Sequence, residues 1–205
     1  MAVIQSGLDS SLLTVDSNGN SRVSLGLPSH PSAGGFYSVT GSQTAVVAAT
    51  LAASTMLMSM RLAAASTRKA YIERVEVTIT PATLGAAATI PGVLGWIRFT
   101  AQTPTGGTAR TASEMNEPLT TATDITDIRD SNAALTGTAP TFGATVASSP
   151  VPLFITSGPL FYTWRFSPAY PLVLTAGDGL ALRTIVVMPA TQTWTYTYNI
   201  IWREQ

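Results

Sequence analysis

Three aspartates at a spacing of three residues form the densest group of chemically useful side chains. Asp124, Asp127 and Asp130 lie in the most highly charged stretch of the chain. Clustered carboxylates can bind hard cations such as Ca²⁺, but this stretch lacks the glycine and the terminal glutamate of an EF-hand loop. The pattern therefore favours a solvated turn, or a rim whose acids pair with arginines, and we predict no metal site.

The only histidine, His30, stands in a proline-containing segment that is typical of a loop. A catalytic triad needs a base beside an activated nucleophile, and the sequence has no G-x-S-x-G elbow to supply one. The pair Gly106-Gly107 lacks both the spacing and the lysine of a phosphate-binding loop. We interpret His30 as an ordinary loop residue, with ligand binding as the alternative, and we predict no cofactor.

Two pairs of glutamates invite comparison with the paired carboxylates of glycosidases. Glu73 and Glu76 are predicted to lie on opposite faces of one strand, and Glu114 and Glu117 in a loop. Side chains on opposite faces of a strand cannot act together on one bond. The sequence therefore offers no catalytic residues, and we predict that the protein is not an enzyme.

An aromatic stripe marks the last predicted strand. Trp194, Tyr196, Tyr198, Ile200 and Trp202 alternate with polar residues, so they share one face of an extended strand. Period-two aromatics usually pack in a core or at a subunit interface. We predict that Trp194, Tyr196, Tyr198 and Trp202 serve one of these two roles and that the strand closes a β-sheet. Stacking on a sugar is the alternative.

Alternating patterns separated by turn signals predict about eight to ten short strands and no confident helix. The clearest strands cover residues 71–79, 93–100, 171–174 and 180–187. Gly95 is expected to mark a bulge or a close approach of two backbones. An alanine-rich stretch is predicted to hold two buried strands, near residues 43–49 and 56–63, with a helix as the runner-up.

These strands predict an all-β protein, a single jelly-roll-like β-sandwich over residues 41–205. Residues 1–40 are predicted to form an extended N-terminal arm. Within the arm, an Asn18-Gly19 turn favours a hairpin between short strands near residues 12–15 and 22–25.

The composition suggests a surface that partners cover. Only 11% of residues are charged and 45% are hydrophobic, whereas a typical soluble domain has about 25% charged residues. A threonine- and serine-rich surface, polar without charge, is the alternative. The net charge is zero with a single lysine, so no basic patch predicts nucleic-acid binding. Cysteine is absent, and Arg61 within the alanine-rich stretch argues against a membrane span.

Three stretches resemble virion structural proteins of tailed bacteriophages, of the capsid decoration (cement) or minor head-protein kind. The first contains Val3-Ile4-Gln5-Ser6-Gly7, Leu12-Leu13-Thr14-Val15-Asp16 and Met58-Ser59-Met60-Arg61. The second contains Thr126-Asp127-Ile128-Arg129 and Ala133-Ala134-Leu135-Thr136. The third contains Pro171-Leu172-Val173-Leu174, Gly177-Asp178-Gly179-Leu180 and the segment from Trp194 to Glu204. The resemblance implies a single jelly roll that assembles as a trimer on a capsid shell, with no catalytic residues.

The leading hypothesis is a non-enzymatic decoration protein that binds and stabilises a phage capsid as a homotrimer. It would be made in the host cytoplasm and lie on the capsid surface of the virion, anchored by residues 1–25. Its partners would be the major capsid protein and other copies of itself, with no nucleic acid and no membrane. The alternatives are a receptor- or carbohydrate-binding module of a tail or head fibre, a small jelly-roll major capsid protein, and a secreted hydrolase that uses Glu73 or Asp127.

Overall fold

The computed structural model divides the chain into two units, Met1–Ala33 and Gly34–Gln205. The structure describes residues 14–15, 21–22, 35–47, 51–83, 92–100, 103–115, 122–137, 140–151, 159–167, 170–188 and 192–205. In the first unit, β1 (Thr14–Val15) pairs antiparallel with β2 (Ser21–Arg22), which confirms the predicted hairpin.

The second unit is built from strands, and its described residues include no helix. The strands are β3 (Phe36–Val47), β4 (Met56–Leu62), β5 (Ala70–Thr83), β6 (Val93–Thr100), β7 (Pro104–Thr105), β8 (Thr108–Ala109), β9 (Ser113–Glu114), β10 (Ile125–Asp130), β11 (Thr136–Gly137), β12 (Thr141–Pro150), β13 (Leu160–Arg165), β14 (Leu172–Leu174), β15 (Gly179–Thr184) and β16 (Thr193–Glu204). The predicted limit between residues 40 and 41 falls inside β3. No described segment is a helix long and apolar enough to cross a membrane.

Two six-stranded antiparallel sheets pack face to face. Sheet I has the order β13-β5-β16-β3-β9, and β14 also pairs with β5; sheet II has the order β12-β6-β15-β4-β10-β8. Strands that follow one another along the chain mostly lie in different sheets, so β3, β5 and β16 alternate with β4, β6 and β15. The all-β sandwich predicted from the sequence is confirmed. A separate two-stranded pair joins β7 to β11.

The core lies between the sheets because each inner strand turns a regular apolar face inward. In β5, Val75, Val77 and Ile79 are buried and alternate with more exposed residues. The buried side chains of β4, β6 and β15 meet this face from sheet II. A smaller cluster on sheet II contains Met56, Ile97, Phe99, Leu135 and Ala181, with Phe142 packed against it. Strands of sheet II are therefore buried on both sides, as the pattern of β4 shows.

The aromatic strand β16 lies in the middle of sheet I, between β5 and β3. Trp194, Tyr196, Tyr198 and Trp202 are each at most 1% exposed within a single chain. Consecutive aromatic rings are in contact, with 5.8 Å between the centroids of Trp194 and Tyr196 and 6.3 Å between those of Tyr196 and Tyr198. The stripe therefore fills the core of the sandwich.

The alanine-rich stretch forms strands, as predicted. Its first part belongs to β3, which ends at Val47, and its last part to β4, which begins at Met56. The two strands belong to different sheets and do not pair with each other. Gly95 makes room for a side chain and not for a second backbone, which differs from the close backbone approach expected from the sequence. A Cβ atom at this position would come within 2.5 Å of the Ile185 side chain.

Candidate functional site

The three predicted aspartates separate in the structure. Asp130 is fully buried, while Asp124 and Asp127 are half-buried. The register between β10 and β4 shifts between Thr126 and Arg129, and Asp127 has a positive φ of 53° there. Among the described residues, no group of three or more His, Cys, Asp or Glu side chains could hold a metal ion.

Asp130 is the centre of a buried network that links the two sheets. Its carboxylate accepts hydrogen bonds from Arg110 Nε at 2.8 Å, Tyr198 OH at 3.0 Å and Gln43 Nε2 at 2.6 Å. Asp130 belongs to β10 of sheet II, whereas Gln43 and Tyr198 belong to β3 and β16 of sheet I. We call these four residues the Asp130 anchor. The predicted pairing of acids with arginines is confirmed for Asp130 and, through Arg68 at 3.5 Å, for Asp124.

The electrostatics of the Asp130 anchor keep its donors protonated. Burial and the neighbouring Asp130 charge raise the pKa of Tyr198 far above its ordinary value. The hydrogen bond to Asp130 raises the pKa of Arg110. A buried carboxylate is tolerated when charge and hydrogen bonds compensate it. Gly41 makes room for the network, because a Cβ atom there would collide with Tyr198 and Asp130.

Glu204 forms a second buried anchor at the end of β16. Its side chain is fully buried, and it accepts hydrogen bonds from Trp202 Nε1 at 3.0 Å and from the Asp124 backbone N–H at 2.9 Å. Arg68 donates to it at 3.3 Å, and the Thr123 hydroxyl completes the set. This Glu204 anchor fastens the central strand of sheet I to the segment that leads into β10.

A pocket of about 350 Å³ opens beside the two anchors. It is lined by Tyr37 of β3, by segment 110–114 and by segment 122–128. Its charged side chains are Arg110, which is bonded to Asp130, and the carboxylates of Glu114 and Asp127. Among its described lining residues there is no histidine or cysteine to act as a nucleophile or its base. The pocket can offer hydrogen bonds to a partner's chain.

A third buried carboxylate, Asp178, closes the turn before β15. Its Oδ2 accepts hydrogen bonds from Thr175 N at 2.9 Å, Thr175 Oγ1 at 2.7 Å and Arg98 Nη2 at 2.8 Å. Burial raises the pKa of Asp178, but these hydrogen bonds and the Arg98 charge outweigh burial, so the net shift is downward. Gly177 allows the turn, since its φ is +82°.

Replacing Asp178 with asparagine should lower the free energy of unfolding by about 1 kcal/mol at neutral pH. Because the pKa of the carboxyl is lower in the folded protein, its contribution is complete above the unfolded pKa. It is lost as the pH falls through the folded value. Urea unfolding of wild type and Asp178→Asn at pH 7 and across the acid range should show the difference vanish in acid. A difference that stays constant with pH would contradict this account.

Glu73 and Glu76 are each held in an ion pair with an arginine. The register of β16 with β5 shifts between Ile201 and Trp202, opposite Ile72–Arg74, so the strand bulges there. The expected opposite placement of Glu73 and Glu76 therefore does not hold, because the bulge leaves both half-buried outside the core. Glu73 pairs with Arg203 at 2.8 Å and Glu76 with Arg74 at 3.4 Å. His30 and Glu117 lie outside the described residues.

Comparison with family models, with curated proteins and with solved structures finds no match for this chain. What the chain does must therefore be argued from its own surfaces.

The outer face of sheet I is a hydroxyl-rich surface that the sequence reading did not single out. Its members are short polar side chains on the central strands, and each is exposed or half-buried. They are Thr40, Ser42, Thr78, Thr80, Thr195, Thr197 and Asn199. Neighbouring strands place them side by side, so that Thr197 lies between Ser42 and Thr78. We call this set the hydroxyl face. The sequence did carry a signal for this face, because the polar residues that alternate with the aromatic stripe in β16 belong to it.

Proposed function

We propose that this chain is a non-enzymatic structural protein of a phage virion, which binds the outside of the capsid and stabilises it as a homotrimer. The observation that carries the proposal is the strand order. The long strands run β3-β16-β5-β13 in sheet I and β4-β15-β6-β12 in sheet II. We propose that this order makes the sandwich a jelly roll, an architecture used by viral capsid proteins, lectins and cupins.

The surface chemistry supports a role in packing against neighbours. The chain carries only 11% charged residues. Six of its acids form ion pairs with arginines of the same chain, namely Glu73, Glu76, Asp124, Asp130, Asp178 and Glu204. The members of the hydroxyl face are uncharged, and the carboxylate of Glu76 borders them, where it accepts a hydrogen bond from Asn199 Nδ2 at 2.9 Å. Such a surface loses little hydration energy when a partner covers it, because uncharged hydroxyls are easier to desolvate than ions.

Stabilisation of a capsid would follow from mass action. A protein that binds the assembled shell, and not its free subunits, shifts the equilibrium towards the shell. The Asp130 anchor and the Glu204 anchor cross-link the sandwich internally. A sandwich held rigid in this way could keep neighbouring capsid subunits in place when it binds both. The first unit, Met1–Ala33, is the segment proposed to attach the chain to the major capsid protein.

The carbohydrate-binding alternative has lost its main support. Its sugar platform was the aromatic stripe, and Trp194, Tyr196, Tyr198 and Trp202 are buried in the core. The large aromatic side chains exposed in the described residues are Phe161 and Tyr170, and they lie on separate elements. A receptor-binding role would need a different surface.

Deleting residues 1–33 should abolish binding to capsids while the sandwich stays folded. The measurement is co-sedimentation of the purified chain with shells that lack it, beside the deleted form. Far-UV circular dichroism and a urea transition of the deleted form show whether the sandwich is intact. Full binding by the folded, deleted form would refute the anchoring role of the arm. Failure of the full chain to bind any shell would refute the capsid proposal.

A further inference from the structure

The four sheet edges differ in how well they are protected. In sheet II, β8 has two residues, and β12 carries two register shifts and ends at Pro150. In sheet I, β9 has two residues. Short strands, bulges and prolines are the devices by which proteins block pairing at an edge.

Strand β13, the other edge of sheet I, has none of these devices. It pairs with β5 over six residues without a register shift, and it contains no proline, glycine or lysine. Its sequence, Leu160-Phe161-Tyr162-Thr163-Trp164-Arg165, is rich in residues that favour strands. An unprotected edge presents a row of free backbone N–H and C=O groups that can pair with another strand.

The side chains on the outer side of β13 are exposed. Phe161 is 73% exposed, and Thr163 and Arg165 are exposed on the same face. Arg165 makes no ion pair with a described residue, and it stands opposite Arg74 of β5, which is a like charge. On the inner face, Tyr162 and Trp164 stack with centroids 5.9 Å apart and remain half-exposed.

We propose that β13 pairs antiparallel with β13 of a second copy, about a twofold axis that passes through Thr163. This twofold contact is separate from the threefold contact of the proposed trimer and would join copies that belong to two different trimers. In antiparallel pairing, opposed residues lie on the same face of the sheet. With the axis at Thr163, each Phe161 faces Arg165 of the second copy, and each Tyr162 faces Trp164 of the second copy. All five positions from Phe161 to Arg165 are then paired, and sheet I continues across both copies.

This register gives the exposed Phe161 and Arg165 side chains suitable neighbours. An arginine over an aromatic ring is an attractive pair, and this chain already uses it twice. Arg183 lies 4.1 Å from the ring centroid of Phe142, and Arg203 lies 4.9 Å from that of Tyr71. The twofold axis makes the Phe161–Arg165 pair twice. An axis at Tyr162 would instead put Phe161 opposite Thr163 and leave Arg165 beyond the paired region.

A cysteine at position 163 gives a direct test, because the chain has no cysteine of its own. Opposed Cα atoms in antiparallel strands lie about 4.5–5.5 Å apart, within the span of a disulfide. Under mild oxidation, full-length Thr163→Cys should form a covalent dimer. Thr40→Cys, an exposed threonine on the outer face of β3, is the control. If the two variants cross-link at the same rate, the proposal is wrong.

A second measurement needs no cross-link. Sedimentation equilibrium should show self-association of the wild-type chain, and Arg165→Glu should weaken it about tenfold, since two Arg–aromatic pairs are lost. Lys69→Glu makes the same change of charge at an exposed site outside β13 and should leave association unchanged. A monomeric wild type, or an assembly that Arg165→Glu does not affect, would overturn the proposal. Both tests use the purified chain, so their failure leaves the capsid proposal standing.

Discussion

Replacing Asp130 with alanine should lower the free energy of unfolding by about 3 kcal/mol, because it removes one partner of a buried ion pair. The substitution leaves Arg110 without its carboxylate and Tyr198 with a buried hydroxyl that has lost its acceptor. Buried donors without acceptors are costly. It also removes a link between β10 and the two strands β3 and β16. The midpoint and slope of a urea transition give the measurement.

Asp127→Asn is the control for this experiment, because asparagine also tolerates the positive φ of 53° at this position. Asp127 lies three residues away on the same strand, is half-buried, and makes no ion pair with a described residue. Its loss should change the free energy of unfolding by less than about 0.5 kcal/mol, as at most surface positions. Asp130→Asn keeps the shape of the side chain and should fall between the two. If the substitutions at positions 127 and 130 lowered the free energy of unfolding equally, the hydrogen bonds of the Asp130 anchor would not contribute to stability.

Trp202→Ala should lower the free energy of unfolding by about 4 kcal/mol, the usual range for removing a buried tryptophan. The indole is fully buried and stacks on Tyr37, with 5.7 Å between ring centroids. Its Nε1 also donates to Glu204, so the substitution withdraws one donor from a buried carboxylate. Thermal unfolding followed by near-UV circular dichroism would report both the stability and the aromatic packing.

Two further variants separate packing from hydrogen bonding at this site. Trp202→Phe keeps an aromatic ring on Tyr37 but removes the donor to Glu204, so it should cost less than the alanine variant. Trp164→Ala removes a half-exposed tryptophan from the edge strand β13 and should cost less again. If Trp164→Ala proved as damaging as Trp202→Ala, the central position of β16 would not explain the effect.

The strands were readable from the sequence where alternation was strong. The predicted strand at residues 93–100 matches β6, and the aromatic stripe of β16 is buried as a face. Alternation is visible because each inward position of an inner strand must be apolar. It says nothing about which strands become neighbours, so the central place of β16 in sheet I could not be read from its own residues.

The anchors were not predictable, because their members are distant in sequence. Asp130 meets Gln43 and Tyr198, and Glu204 meets Arg68, only after two sheets have formed and packed. The aspartate spacing favoured pairing with arginines over a metal site, and Arg110 pairs with Asp130. The tyrosine and glutamine partners of Asp130 could not be read from the sequence. The bulge at Glu73 was likewise hidden, since a bulge depends on the register of two strands.

The place of β16 between β3 and β5 governs the order of events during synthesis. The two flanking strands are made early, and they cannot be joined until residues 193–204 have left the ribosome. At about 5–20 residues per second, β3 waits on the order of ten seconds for its neighbour. Until then, two long apolar strands lack the partner that covers them, and contacts so distant in sequence form slowly. Production of this protein should therefore depend on chaperones that shield nascent strands more than its final stability would suggest.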